Sequence, residues 1–446
     1  MLMKSLETLP KSRPVLAAIL SAVVLSACSE REAILSGTRI GLLPEPTVEA
    51  VSPDAAGESA GLAVEVTLNA APMVGLGAGH AGGNPSLQAP LDRAWTASIG
   101  GKGTDLTELA VPVVGDGKVF TVAPNGMVSA FDVKSGGTVW SARIEQVEDE
   151  PLPGIGGGLA LSAEGLVVHA GGQTLALLNP DDGSILWSVT SPIPLRGGPT
   201  IIGADRFAVT DLDGNMRVST LVSAEPLWEH FGIAANTVLF GSPAPAYGDD
   251  SIVLAGVGGE VSYFDASLGD LIWTDSVASL SPRTPIQGLG DVSAHPVHDG
   301  GMIFVVSQSG RFVAFSARTG LPVWERAIAG LEMPWVSGET VFAVSVNGRV
   351  YAMRREDGAV RWIAELPDAQ PVNAVVTENP PRYFGPVVAG GRVYVVSKSG
   401  MVHAFNADTG VEVESFSAGF EVLTPPQLAA GRMFLVGRNG TLLALE

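Results

Sequence analysis

From residue 91 to its end the chain is written in short runs that alternate apolar and polar positions, separated by Gly, Asn, Asp and Ser. An apolar residue at every second position gives a strand one buried face, so these runs predict β-strands rather than helices. The pattern is clearest at Val119–Asp132, where two strands flank Asn125-Gly126, and at Ile303–Phe315, where two flank Ser309-Gly310. Such Gly-containing pairs suit tight hairpin turns. Each hairpin leads through a turn resembling Asp-x-x-Thr-Gly into a third strand carrying Trp. A fourth strand is announced upstream by Pro and a Gly/Asp turn, as in Val111–Gly117. Four strands make one antiparallel sheet.

This unit repeats. The tryptophans of its Trp strand are Trp95, Trp140, Trp187, Trp228, Trp273, Trp324 and Trp362, spaced 38 to 51 residues apart, and Glu414 occupies the same place in a further copy. The last copy, Arg432–Glu446, stops before its Trp strand, whereas Leu91–Ser98 is a Trp strand with no hairpin before it. An open array needs polar caps at both ends, but a repeat split between the two termini makes sense only in a closed circle. The expected fold is therefore all-β, an eight-bladed β-propeller of four-stranded antiparallel blades over 91–446, with an N-terminal strand completing the last blade. The Trp strand is expected outermost, its ring packing between blades. Trp335 stands outside the pattern and is expected to face the channel or a neighbouring blade.

The start of the chain is different. Lys4, Lys11 and Arg13 precede an apolar run from Val15 to Leu25 that is too short for an ordinary spanning helix, which is the layout of an export signal. The run ends Leu25-Ser26-Ala27-Cys28 and resembles the bacterial lipobox, in which the cysteine is acylated and becomes N-terminal after cleavage of residues 1–27. Ser29 follows where an Asp tends to hold such proteins at the inner membrane, so the resemblance implies a palmitate-bearing lipoprotein at the outer membrane, facing the periplasm of a Gram-negative bacterium. Residues 28–90, rich in Gly, Ala and Pro, read as lipidated Cys28 plus a flexible tether. The run Gly75–Gly83 fails as a phosphate loop, because no Lys-Ser/Thr follows and His80 stands where the dinucleotide spacing wants Gly.

Composition sharpens the exclusions. With 26 basic against 46 acidic residues the formal charge is −20, which repels the phosphate backbone and argues against nucleic-acid binding. One cysteine permits no intramolecular disulfide and no Cys-x-x-Cys site. Asp211–Asn215 has half the look of a calcium loop but lacks the spacer to Glu, and reads as a turn. His295-Pro296-Val297-His298 offers two imidazoles without a third ligand and reads as a solvated loop. His80, His169, His230 and His403 fall in different units.

The Asp-x-x-(Thr/Ser/Asp)-Gly-x-x-x-Trp repeats resemble those of the quinoprotein-type propeller superfamily. One branch comprises dehydrogenases dependent on pyrroloquinoline quinone; these typically carry a vicinal disulfide that this chain cannot form. The other is the BamB family of outer-membrane assembly lipoproteins, and lipobox, tether, closing Trp strand and eight units all resemble it. That likeness implies a non-enzymatic scaffold in the β-barrel assembly (BAM) complex, with no cofactor, binding the periplasmic POTRA domains of the BamA-like barrel-inserting subunit and unfolded client proteins. The alternative is a quinone- or other ligand-binding propeller. Pro192–Thr200 resembles the family's contact loop, Leu-x-Leu-Arg-Gly, placing Ile193, Leu195 and Arg196 at the partner. A second contact loop, Asp-x-Asp-Thr-Thr-Pro, corresponds to Asp291–Pro296, where of its two acids only Asp291 remains. Two aliphatics and an Arg on an inter-blade loop suit a small apolar anchor beside a directional cation.

Overall fold

A computed structural model of the chain describes residues 49–104, 109–147, 156–232, 243–279, 292–370 and 381–446. The alternating runs are strands. In the first blade Val113–Gly115 is innermost, followed outward by Lys118–Val122, Met127–Asp132 and Thr138–Arg143. Its middle strands are buried on both faces, because a neighbouring blade covers each side. The outer strand instead alternates, with Trp140 buried between exposed Val139 and Ser141. Seven more sheets of the same order complete the eight-bladed propeller, and the last consists of Gln427–Ala429, Arg432–Val436 and Thr441–Leu445 with Arg93–Ser98 as its outer strand. The ring is closed by Trp95 opposite Ala444 and by Asp92 and Glu446, whose backbones bond in both directions at 2.8 and 2.9 Å.

Each Trp reaches the turn between the third and fourth strands of the next blade. The indole N–H donates to a carbonyl there: Trp95 to Val133, Trp140 to Pro180, Trp187 to Leu221, Trp228 to Ala266, Trp273 to Ala317, Trp324 to Arg355 and Trp362 to Ala407. In six of the seven the ring lies over the turn's glycine, and in the turn that receives Trp187 the same place is held by Ala224 at positive φ. A Cβ at Gly136, Gly183, Gly269, Gly320, Gly358 or Gly410 would stand 2.5–2.7 Å from an indole carbon. The Asp of the repeat builds that turn, as where the Asp132 carboxylate accepts from the N–H of Ser135 at 2.8 Å. Glu414 now has a reason. The next blade's third and fourth strands belong to opposite ends of the chain, so there is no turn for a Trp to dock on, and Glu414 pairs with Arg392 at 2.8 Å.

The segment expected to be a loose tether is, from residue 49 onward, packed on the propeller. Residues Leu68–Pro85, here called the strap, circle the channel and meet the inner end of every blade in turn. Leu68 O accepts from Ala430 N in the eighth blade, and Ala71 bonds Val114 in the first, at 2.8 Å in both directions. Pro72 O accepts from Leu161 N, and the Met73 sulfur contacts Ile201 N at 3.2 Å. Ala78 O accepts from Tyr247 N and Gly79 O from His298 N; Gly83 N donates to Val336 O, and Pro85 O accepts from Gly390 N. The physical reason is supply and demand of backbone groups: eight inner strands end near one face with unpaired amides, and an apolar, glycine-rich chain can lie close enough to use them. The glycines serve close approach rather than looseness. A Cβ at Gly79 would meet His298 O at 2.6 Å, and one at Gly82 would meet the Trp335 ring at 2.0 Å. Trp335 itself is buried in the first strand of the sixth blade and donates its indole N–H to Gly83 O at 2.8 Å.

Candidate partner-binding face

Antiparallel blades put their first and third turns on one face, where the strap lies, and their second turns and inter-blade connections on the other. The connection Ser191–Pro194 is on that second face and is stitched down. Ser191 N donates to Gln173 O at 2.7 Å, Leu195 N to Gly172 O at 2.9 Å and Leu212 N to Pro194 O at 3.1 Å, so turns of two blades hold it. Below it, His169 donates from Nε2 to Gly197 O at 2.5 Å while its Nδ1 accepts from Gly171 N–H, and burial pushes its pKa down to about 4, keeping it neutral.

Of the expected contact residues, Ile193 is half-buried, beside the exposed Pro192. Leu195 and Arg196 differ from expectation. They open the strand Leu195–Ile202 rather than sit in the loop, and they are only 2% and 3% exposed. Leu195 packs with Met73, Leu175, Phe207 and Val209 between the second and third blades, so it is a core residue and not an exposed anchor. The sequence hid this: Arg196-Gly197-Gly198-Pro199 reads as a loop, and the strand pairing is indeed interrupted between Arg196 and Thr200. Cys28 and Asp291 lie outside the described residues.

Behind this face a cavity runs into the channel and ends on Val74 and Gly75 of the strap, with Trp335, Met333 and Phe384 on its walls. The Arg382 guanidinium lies 5.3 Å from the centre of the Phe384 ring and 3.7 Å from the Glu332 carboxylate. His295 also lines the cavity and meets His80 edge to face, 5.5 Å between centroids. His80 donates from Nδ1 to Pro296 O at 2.7 Å, while His295 Nδ1 accepts from Ala244 N–H at 2.7 Å. Burial pushes the two pKa values down to about 4 and about 3. The expected solvated loop at 295–298 is thus packed, with Pro296, Val297 and His298 buried and His295 half-buried, and His298 stacks on Tyr263, whose hydroxyl is 3.2 Å from its Nε2. Asp211 does build a turn, accepting from the N–H groups of Asp213 and Asn215 at 3.0 Å. Among the described residues no three His, Cys, Asp or Glu side chains cluster as a metal would require, and no helix is long and apolar enough to cross a membrane.

Comparison with known proteins bears on this architecture. The family model for outer membrane protein assembly factor BamB matches residues 124–364 and 374–446. The BamB of Shewanella oneidensis is 25% identical over 358 residues, 78% of this chain and 87% of its own length; that of Escherichia coli K12 is 23% identical over 360 residues, 79% and 88%. Among solved structures, BamB from Moraxella catarrhalis superposes with a TM-score of 0.68 at 19% identity, over 80% of this chain and 99% of that one. The quinohemoprotein alcohol dehydrogenase of Comamonas testosteroni superposes with a TM-score of 0.64 at 12% identity, over 84% and 80%, a likeness of fold alone. Since the family model covers both halves of the propeller, this chain belongs to the BamB family of outer membrane protein assembly factors.

Proposed function

We propose that this protein is a non-enzymatic assembly factor for outer-membrane β-barrels: a scaffold held at the outer membrane by acyl chains on Cys28, facing the periplasm. It docks onto POTRA domains of a BamA-like barrel-inserting subunit and takes unfolded barrel clients. The observation that carries the reading is the family match across both halves of the ring. The docking face is the one opposite the strap, where Pro192 and Ile193 present an apolar step. Leu195 and Arg196 support it from beneath, and Asp291 would add an acidic contact. An apolar residue on a rigid, stitched loop suits an interface anchor, since little order remains to be lost on binding.

Co-purification from detergent-extracted membranes tests this. Ile193→Glu should cut recovery of the barrel-inserting subunit while leaving the melting temperature unchanged, and undiminished recovery would move the contact elsewhere. Cys28→Ala should abolish labelling by radioactive palmitate; persistent label would exclude the lipobox. The quinone-binding alternative predicts stoichiometric uptake of pyrroloquinoline quinone by the purified protein, and such uptake with turnover of a dye would overturn the scaffold reading.

A further inference from the structure

The repeats serve as controls for one another, and the sixth blade breaks their pattern twice. Eight residues before the Trp, or before Glu414, the six other third turns carry a short polar residue suited to a turn: Asp132, Asn179, Thr220, Asp265, Ser316 and Asn406. In the sixth blade Arg354 takes that place. Immediately before the Trp, or Glu414, six other outer strands carry Val139, Leu186, Leu227, Ile272, Val323 and Val413, all 47–53% exposed. The sixth blade carries Arg361 there, and it is 6% exposed.

Both arginines meet one segment of the chain. Ser52 N donates to Val360 O at 2.9 Å and Val360 N to Ser52 Oγ at 3.0 Å; residues 53–57 then turn, with Ala55 N and Ala56 N donating to Ser52 O. The turn sends Asp54 to Arg354 at 2.8 Å, and Glu58 to Arg361 at 2.8 Å and to Arg354 at 3.3 Å. Arg361 also donates to Ser59 O at 2.7 Å, while Arg354 keeps Asp357 of its own turn at 2.7 Å. Ala55 and Ala60 are fully buried, and Ala60 N and the Ser59 hydroxyl donate to Asp408 of the seventh blade at 2.7 and 2.9 Å. Upstream, the Glu49 carboxylate accepts from Ala327 N–H at 2.7 Å, where the fifth blade's outer strand ends; downstream, Gly61 O accepts from Glu339 N–H at 2.9 Å. Val360 is thereby 1% exposed, whereas Leu271, likewise two residues before its Trp, is 52%.

We propose that residues 49–61 form a latch, that the sixth blade is a receptor built for it, and that the acyl anchor takes hold of the ring there. An exposed ion pair alone holds little, but Arg361 is buried, and undocking strips its charge of both Glu58 and Ser59 O. The latch's partners, Ala327, Glu339, Arg354, Val360, Arg361 and Asp408, are not those that hold the strap, so it parts from the ring as a separate unit. The role in anchoring rests on the acylation of Cys28 proposed above. A pull from the membrane then meets the ring first at the latch, and undocking moves the point of suspension to Leu68 O and Ala430 N in the eighth blade.

Restoring the repeat tests the latch. Arg354→Asn with Arg361→Leu gives the sixth blade residues that other blades carry at the same places, so the ring should fold. Hydrogen exchange read by mass spectrometry should then show amides of 52–60 exchanging about tenfold faster, while those of the strap keep their rate. Unchanged exchange at 52–60 would show that charge does not hold the segment, and equal acceleration in the strap would show a single unit with no separate latch. Should the double variant not fold, Asp54→Asn with Glu58→Gln, on the segment itself, takes the same reading. Force tests the suspension point. With the unacylated full chain held in optical tweezers by Cys28, its single cysteine, and by its C-terminus, about 40 Å of chain should come free in one reversible step before the ring yields. The double variant should lose that step, and a ring that yields with no earlier step overturns the proposal. Neither reading uses acyl chains, so a failure of palmitate labelling removes the membrane from this account and a failure of the latch does not touch the labelling.

Discussion

Two segments without a strand's alternating pattern lie on opposite faces of the ring, and they exchange the properties their sequences advertise. The strap, Leu68–Pro85, is rich in Gly, Ala and Pro, as loose linkers are, yet it bonds the inner end of all eight blades. The connection Ser191–Arg196 looks like a contact loop with three binding side chains, yet Leu195 and Arg196 are buried and only its first residues face outward. Composition describes what a segment can do when nothing is near it. What decides order is whether unpaired backbone groups are within reach, and the strap meets far more of them.

The largest test of that contrast is deletion. Removing residues 49–85 while keeping the closing strand strips every blade of a bond, and should lower the melting temperature by about 10 °C or more or prevent folding. Removing 29–48 should change it little. If the two truncations melt alike in a calorimeter, the strap is decoration. Next comes burial in the connection. Leu195→Ala should cost about 3 kcal/mol in denaturant titration, as large-to-small changes in a core do, while Ile193→Ala should cost less than about 1 kcal/mol. Equal costs would mean that Ile193 is packed as well.

Acid should loosen the strap's side of the comparison. His80 is neutral and buried in the fold with its pKa pushed down to about 4, whereas in the unfolded chain it titrates near 6.5. Below pH 6.5 the unfolded state binds a proton that the folded state refuses. Stability from this group is therefore complete above pH 6.5 and falls as pH drops towards 4, by about 3 kcal/mol at the lower end. His80→Asn keeps a donor for Pro296 O and cannot take up that proton, so its loss between pH 6.5 and 4 should be smaller by about that amount. His169 titrates in both proteins and cancels in the difference, whereas His295, whose pKa the neighbouring His80 helps to lower, is relieved in the variant and adds to the same reduction. Identical pH profiles would show that His80 is already accessible to solvent.

Much of the fold was legible beforehand because its rules are local and repeated. Period two, a Gly-containing turn and a Trp at regular spacing specify a blade, and a repeat split between the termini specifies a ring. Even the missing Trp at 414 obeys the rule, since its neighbour has no turn to dock on, although that was visible only with the blades in place. His295 and His298 were misjudged for the opposite reason. Nothing within their own stretch indicates that His80, more than two hundred residues away, arrives to bury one of them.

The sequence by itself determined the number of blades, the order of strands within each, the closing strand and the family. Tertiary structure alone decided which face the strap covers, that Leu195 belongs to the core, and that Ser52–Glu58 reaches the outer strand of the sixth blade. The division has a physical cause. Strand pairing within a blade joins residues close in the chain, where alternation and turn chemistry act, but the strap's partners are the ends of eight strands that come together only once the ring has closed, and no local pattern encodes a neighbour that distant closure brings.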